Sequence, residues 1–335
     1  MQHEYKEKHN VFEDNGEVLC AGWAKNDYFL FNKDDSKQSK HICEGLCYFI
    51  NNGEISLYLS IENSGIDFYI KIAVADLKKG GVISDFTVKK QLISKIEIPQ
   101  SDNTGEFLFT DKKIQLQITN TPNNKFLKCN FIDFAGTKNL SFSINLKKIA
   151  SEKLNQLAPF ELDRRYFYFK RFAPEYIASG NIKIGNTEYQ LGDEYSIGYL
   201  DHTRYSKPRK HNYQRLSADG FIGDNRFSLC LASRVGDNRY GSENCFFLNN
   251  KLEKLFKIEV RNTEGRIDRP WYFKGGISAF DVIFKPYMLA NNVMTADMEK
   301  TSVVFGKLYG EIKRVDYDKP LVLDDLQAHM VFNEF

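Results

Sequence analysis

The sequence predicts an almost all-β protein built from two similar antiparallel barrel-like halves, and three observations carry that expectation. Apolar and polar residues alternate at period two, turn-forming residues punctuate the runs, and helical segments long enough to serve as parallel crossovers are almost absent. The chain has 335 residues, which at roughly 100–200 residues per domain favours two domains.

Taken in order, Ile55, Leu57, Leu59 and Ile61 interleave with Ser56, Tyr58, Ser60 and Glu62, the pattern of a strand with one wet face. The pattern recurs in Phe68, Ile70, Ile72 and Val74, in Ile114, Leu116 and Ile118, and in Phe142, Ile144 and Leu146. Asn51-Asn52-Gly53, Gly80-Gly81 and Asn123-Asn124 supply the positive φ angles of tight hairpins, so neighbouring strands should pair antiparallel. One short helix is expected at Ile149 to Leu157, followed by Pro159 and the charged Asp163-Arg164-Arg165. That segment is read as the boundary between an N-terminal barrel, 1–150, and a C-terminal barrel, 151–335. Beyond it, strands are expected at Tyr166 to Phe172 and Gly180 to Ile184. Hairpins are expected at Gly185-Asn186, Asn249-Asn250 and Gly275-Gly276. The total is roughly twenty short strands, a number and spacing typical of sandwiches and barrels.

Lys plus Arg total 46 against 44 Asp plus Glu, so no global field would draw the protein to nucleic acid or anionic membrane. The opening residues lack the apolar stretch of a secretory signal, and no uninterrupted apolar run is long enough for a membrane span. A cytoplasmic protein is expected, and its six cysteines should then be free thiols. His41-Ile42-Cys43-Glu44-Gly45-Leu46-Cys47 lacks the spacing of a structural zinc site, and no G-x-S-x-G, Walker or dinucleotide fingerprint occurs. No metal and no cofactor is expected.

The densest polar run is Asp201 to His211, directly after the strand-like Tyr195 to Leu200. It reads either as a solvated hairpin or as an anion-binding loop in which Arg204 and Arg209 fork onto a carboxylate or phosphate. Asp201, three residues before Arg204, is placed to pair with it across a turn. In a pocket, Asp201 would instead be a candidate proton donor for chemistry on unactivated carbon. Glu243-Asn244, just ahead of Phe246-Phe247, poses the same choice between structural pairing and catalysis. Tyr213, Phe246, Phe247, Trp271 and Tyr272 supply aromatic surface for a cavity.

Several segments have a familiar order: Gly22-Trp23, Ala178-Ser179-Gly180, Ile197-Gly198-Tyr199-Leu200-Asp201 with Arg204 and Pro208, Ser217-Ala218-Asp219-Gly220, Ser242-Glu243-Asn244, Pro270-Trp271, Phe284-Lys285-Pro286, and Phe305-Gly306-Lys307-Leu308-Tyr309-Gly310. Together they resemble the bacterial family of domain of unknown function 2804, over nearly the whole chain. That family is distantly similar to the carotenoid 1,2-hydratase and AttH-like proteins, which implies two tandem lipocalin-like (calycin-type) antiparallel β-barrels with little helix. The resemblance implies no activity, because the family has none assigned. Where the family has a Trp-x-Trp pair, this chain has Tyr213-Gln214-Arg215, which implies a more polar cavity with Tyr213 and Arg215 among its ligand contacts.

Three functions stay open at this point. One barrel, with the second favoured, binds a small apolar or amphipathic molecule through residues such as Arg204, Arg209, Tyr213, Arg215, Glu243, Asn244 and Trp271. A cofactor-independent hydratase or lyase would use Asp201 as its acid. A protein- or glycan-binding β module would use its sheet surfaces.

Overall fold

The computed structural model describes residues 2–91, 98–99, 104–160, 163–192, 194–206, 213–233, 235–255, 257–262, 265–275, 280–287, 293–296, 301–314 and 319–333. Among them there is no α-helix, only the short 3-10 turns Lys33–Asp35 and Ser39–His41. The strands form two curled antiparallel half-barrel sheets of thirteen and ten strands, beside a two-stranded parallel pair, His9–Asn10 with Phe29–Leu30.

The hairpins at Gly53, Gly80 and Gly185 close with those glycines at positive φ, whereas Asn123 and Asn124 do not adopt it, and Gly276 lies outside the described residues. Asn249 and Asn250, with φ of 48° and 67°, join Cys245–Leu248 to Lys251–Lys254 in the left-handed conformation that asparagine tolerates. Gly180, at φ +121°, lies so close to the neighbouring strand that a Cβ there would meet the Ser143 carbonyl oxygen at 2.0 Å. A side chain at this point would force the two strands apart.

The expected helix at Ile149 to Leu157 does not form. Leu154–Phe160 is a strand, buried at all seven positions and paired with Gly22–Ala24 on one side and with Asp163–Ile184 on the other. Its apolar run has no helical period strong enough to compete with a sheet that offers partners on both edges. The two strands expected at Tyr166 to Phe172 and Gly180 to Ile184 are one 22-residue strand, Asp163–Ile184. Its pairing with Ile197–Ser206 shifts between Ala173 and Tyr176, around Pro174, which has no N–H to give to the ladder.

The first sheet therefore continues to Ser206, and the second begins at Gln214. The change of sheet does not coincide with residue 150. Limited proteolysis should leave 154–160 intact, since its backbone is paired and buried; early cleavage inside it would contradict this account.

Each half-barrel fills its concave face with apolar side chains. Leu46, Tyr48 and Ile50 meet Leu57, Leu59, Phe107 and Phe142 in the first, and Leu216, Leu229, Phe246, Trp271 and Phe284 meet in the second. A third cluster takes residues from both sheets, among them Phe49, Tyr58, Phe172, Tyr199, Phe247 and Phe305. The strands between them are thus buried on both faces. Ile55–Asn63 is buried from Ile55 to Ile61, and Asp67–Asp76 is buried at all ten positions. The face expected to be wet, Ser56, Tyr58 and Ser60, is covered by the second sheet instead.

Candidate functional site

On the covered face of the first sheet, strand periodicity sets out Tyr168 and Lys170 from Asp163–Ile184, and Tyr199, Asp201, Thr203 and Tyr205 from Ile197–Ser206. The second sheet meets them with Arg215 from Gln214–Ile222, Cys230 from Asn225–Ser233 and His329 from Leu321–Asn333. Glu243 stands on the loop before Cys245–Leu248.

Lys170 is the centre of this arrangement and is fully buried. Its Nζ lies 2.8 Å from Asp201 Oδ2 and 2.5 Å from Glu243 Oε2. Burial and the neighbouring Arg215 oppose its charge, yet the two carboxylates outweigh them and hold it above the usual lysine range. Glu243 also takes a two-pronged contact from Arg215, 2.9 Å from Nε to Oε2 and 3.1 Å from Nη2 to Oε1. Burial would raise its carboxyl, but Arg215 and Lys170 prevail and hold it at about 2. The Arg215 guanidinium lies 5.7 Å from the Tyr168 ring and 5.5 Å from the Tyr213 ring, and Nη2 donates to the Tyr168 hydroxyl. Its Nη1 comes to 3.8 Å from Asp201 Oδ2.

Beside this cluster a cavity of about 260 Å³ opens between the sheets. Asp201 and Arg215 line it with Tyr58, Tyr205, Tyr213 and His329, and Glu44 and Glu62 also border it. One oxygen of Asp201 is committed to Lys170. The other, Oδ1, is buried with no hydrogen-bond partner among the described residues. His329 is packed among Phe49, Tyr58 and Tyr199 and is held down to about 3 by burial, then by the charges of Lys170 and Arg215, so its ring is neutral. The Tyr58 hydroxyl is pushed well above its ordinary value by burial and keeps its proton.

The expected Asp201–Arg204 pair does not form. The strand runs through both residues to Ser206, and positions three apart on a strand face opposite sides. Arg204 donates from Nε to Glu44 Oε1 at 2.7 Å and lies 4.9 Å from the Phe31 ring. Asn244 accepts from the Ala232 amide at 2.8 Å and from Lys254 through its carbonyl, so it fixes the loop carrying Glu243. Trp271 and Phe246 belong to the core of the second half-barrel, away from the cavity. Arg209 lies outside the described residues. Lys170, Tyr168, Tyr58 and His329 carried no motif of their own in the sequence. No cluster of three His, Cys, Asp or Glu side chains able to hold a metal occurs among the described residues.

A family model described as Domain of unknown function (DUF2804) matches residues 2–329, a span that includes every residue placed at the site above. The chain belongs to the DUF2804 family. No curated protein sequence matches this DUF2804 chain. Among solved structures, kievitone hydratase from Nectria haematococca has a TM-score of 0.58 at 9% identity, covering 97% of this chain and 99% of its own. An AttH-like protein from Nitrosomonas europaea has a TM-score of 0.53 at 8% identity, covering 87% and 92%. At such identities the likeness shows that the DUF2804 fold is that of tandem lipocalin-like proteins, and it shows the fold alone. No described helix is long and apolar enough to cross a membrane.

Proposed function

We propose that this protein binds a small amphipathic molecule between its two sheets, not inside either half-barrel, and that Asp201 is its polar contact. The observation that carries this reading is that Asp201, whose buried Oδ1 has no partner among the described residues, is one of the residues lining a 260 Å³ cavity. A buried acceptor without a partner is costly, and a ligand donor would satisfy it. The volume exceeds the ~150 Å³ in which benzene is accommodated and falls just below the range of drug-sized pockets. Both concave faces, in contrast, are filled by core side chains.

A second reading, addition or loss of water across a carbon–carbon double bond, draws on the fold shared with kievitone hydratase and on the Asp201 carboxylate that lines the cavity. With Oδ2 on Lys170, Asp201 serves as the base that takes a proton from carbon, not as the acid expected from the sequence. Asp201 then returns that proton to the departing hydroxyl, which leaves as water. Native mass spectrometry of the purified protein should show a bound small molecule. In Asp201→Asn that adduct, and any turnover found for it, should fall at least about tenfold while the fold is retained. Unchanged binding in folded Asp201→Asn would contradict the assignment.

A further inference from the structure

Among the described residues the charges around the cavity balance, two carboxylates against two cations at its centre, and that balance bears on what the cavity accepts. Asp201 faces Lys170 at 2.8 Å, and Arg215 faces Glu243 at 2.9 Å. At the mouth, Glu44 faces Arg204 at 2.7 Å and Glu62 faces Lys71 at 2.8 Å. His202, which also meets Glu44 at 2.8 Å, is held down to about 4 by burial and then by Arg204, so it adds no charge near neutral pH. His329, which lines the cavity, and His202, which contacts Glu44 on its wall, are both neutral.

From this we infer that the ligand class is a neutral, flat, ring-bearing molecule with a hydroxyl donor, a phenol or an enol, and that carboxylates and ammonium ions are rejected. The inference rests on the inter-sheet cavity being the binding site, and it specifies the occupant. A ligand carboxylate reaching Asp201 would be a third buried anion beside Asp201 and Glu243, against Lys170 and Arg215 among the described residues. An ammonium there would be a third cation against two carboxylates. Either leaves a desolvated charge without a counter-ion, which costs far more than a neutral hydrogen bond gains. A hydroxyl donor satisfies Asp201 Oδ1 and disturbs neither pair. The aromatic walls, Tyr58, Tyr205 and Tyr213, suit a flat ring packed face or edge on.

Three ligands of one skeleton test this: naphthol, naphthoate and naphthylmethylammonium, titrated against the intact protein near pH 7 by calorimetry. Naphthol should bind at least about tenfold more tightly than either ion. In Asp201→Asn, confirmed folded by its thermal transition, the preference for naphthol over naphthoate should shrink. Equal affinity for naphthol and naphthoate in the wild type would overturn the selectivity and leave the cavity standing. A folded Asp201→Asn with an unchanged preference would overturn the role given to Asp201. If no member of the set binds the folded wild type, both the selectivity and the cavity reading fail.

Discussion

Replacing Lys170 with Met is expected to destabilise the protein by about 3–5 kcal/mol, the usual consequence of removing one partner from a buried ion cluster. The side chain has no exposed area, and its ammonium is shared by Asp201 and Glu243. Without it, two buried carboxylates face the single guanidinium of Arg215. The loss comes from the uncompensated charge, so it should be partly reversible by a second substitution. Asp201→Asn added to Lys170→Met leaves Glu243 paired with Arg215 alone, which restores neutrality. Urea unfolding of the two single variants and the double variant measures the coupling. If the double variant is as unstable as the sum of the singles, the cluster is not held by charge matching.

Acid should weaken the fold well before carboxylates ordinarily titrate. His202 and His329 have unfolded values near 6.5 and folded values of about 4 and about 3, because burial, and then the nearby Arg204 for the first and Lys170 and Arg215 for the second, oppose protonation. Below pH 6.5 the unfolded chain takes up protons that the folded protein refuses, so stability falls as pH falls. Each histidine contributes a slope of about 1.4 kcal/mol per pH unit in that window. Glu243 adds a later loss of the same sign. Its folded value of about 2 lies below the ordinary 4.5, so its stabilisation is complete above 4.5 and disappears as pH drops towards 2. Melting temperatures should therefore decline steadily from about pH 6.5 downwards, and His329→Phe should flatten the first part of the decline. A constant stability between about pH 7 and pH 5 would show that these histidines titrate alike in both states.

The strands were legible because period-two alternation is a local property of the chain. What the alternation could not reveal was what lies against the polar face. In Ile55–Asn63 the residues Ser56, Tyr58 and Ser60 read as a solvent face, yet a sheet formed some 150 residues later covers them. The same lack of context hid Lys170, which lies within the expected strand Tyr166 to Phe172 with nothing local to mark it. Strand geometry sends Lys170 towards the second sheet, while Arg171 turns the other way to Asp27 and Glu175. Asp201 and Glu243 were within reach of the sequence because they stand in family-like segments, and Arg215 because it stands where the chain departs from the family's Trp-x-Trp. Their partners were not: the Asp201–Arg204 pairing assumed a turn where the strand continues, and the true partners come from 31 residues upstream for Asp201 and 28 residues away for Glu243 and Arg215.

The most direct test of the inter-sheet site is a crystal structure of the protein with naphthol. The ring should lie between the two sheets, against Tyr58 and Tyr213, with its hydroxyl within hydrogen-bond distance of Asp201 Oδ1 and the Lys170 contact to Oδ2 retained. Naphthol lodged among the apolar side chains of either half-barrel, with Asp201 Oδ1 still unpartnered, would contradict it.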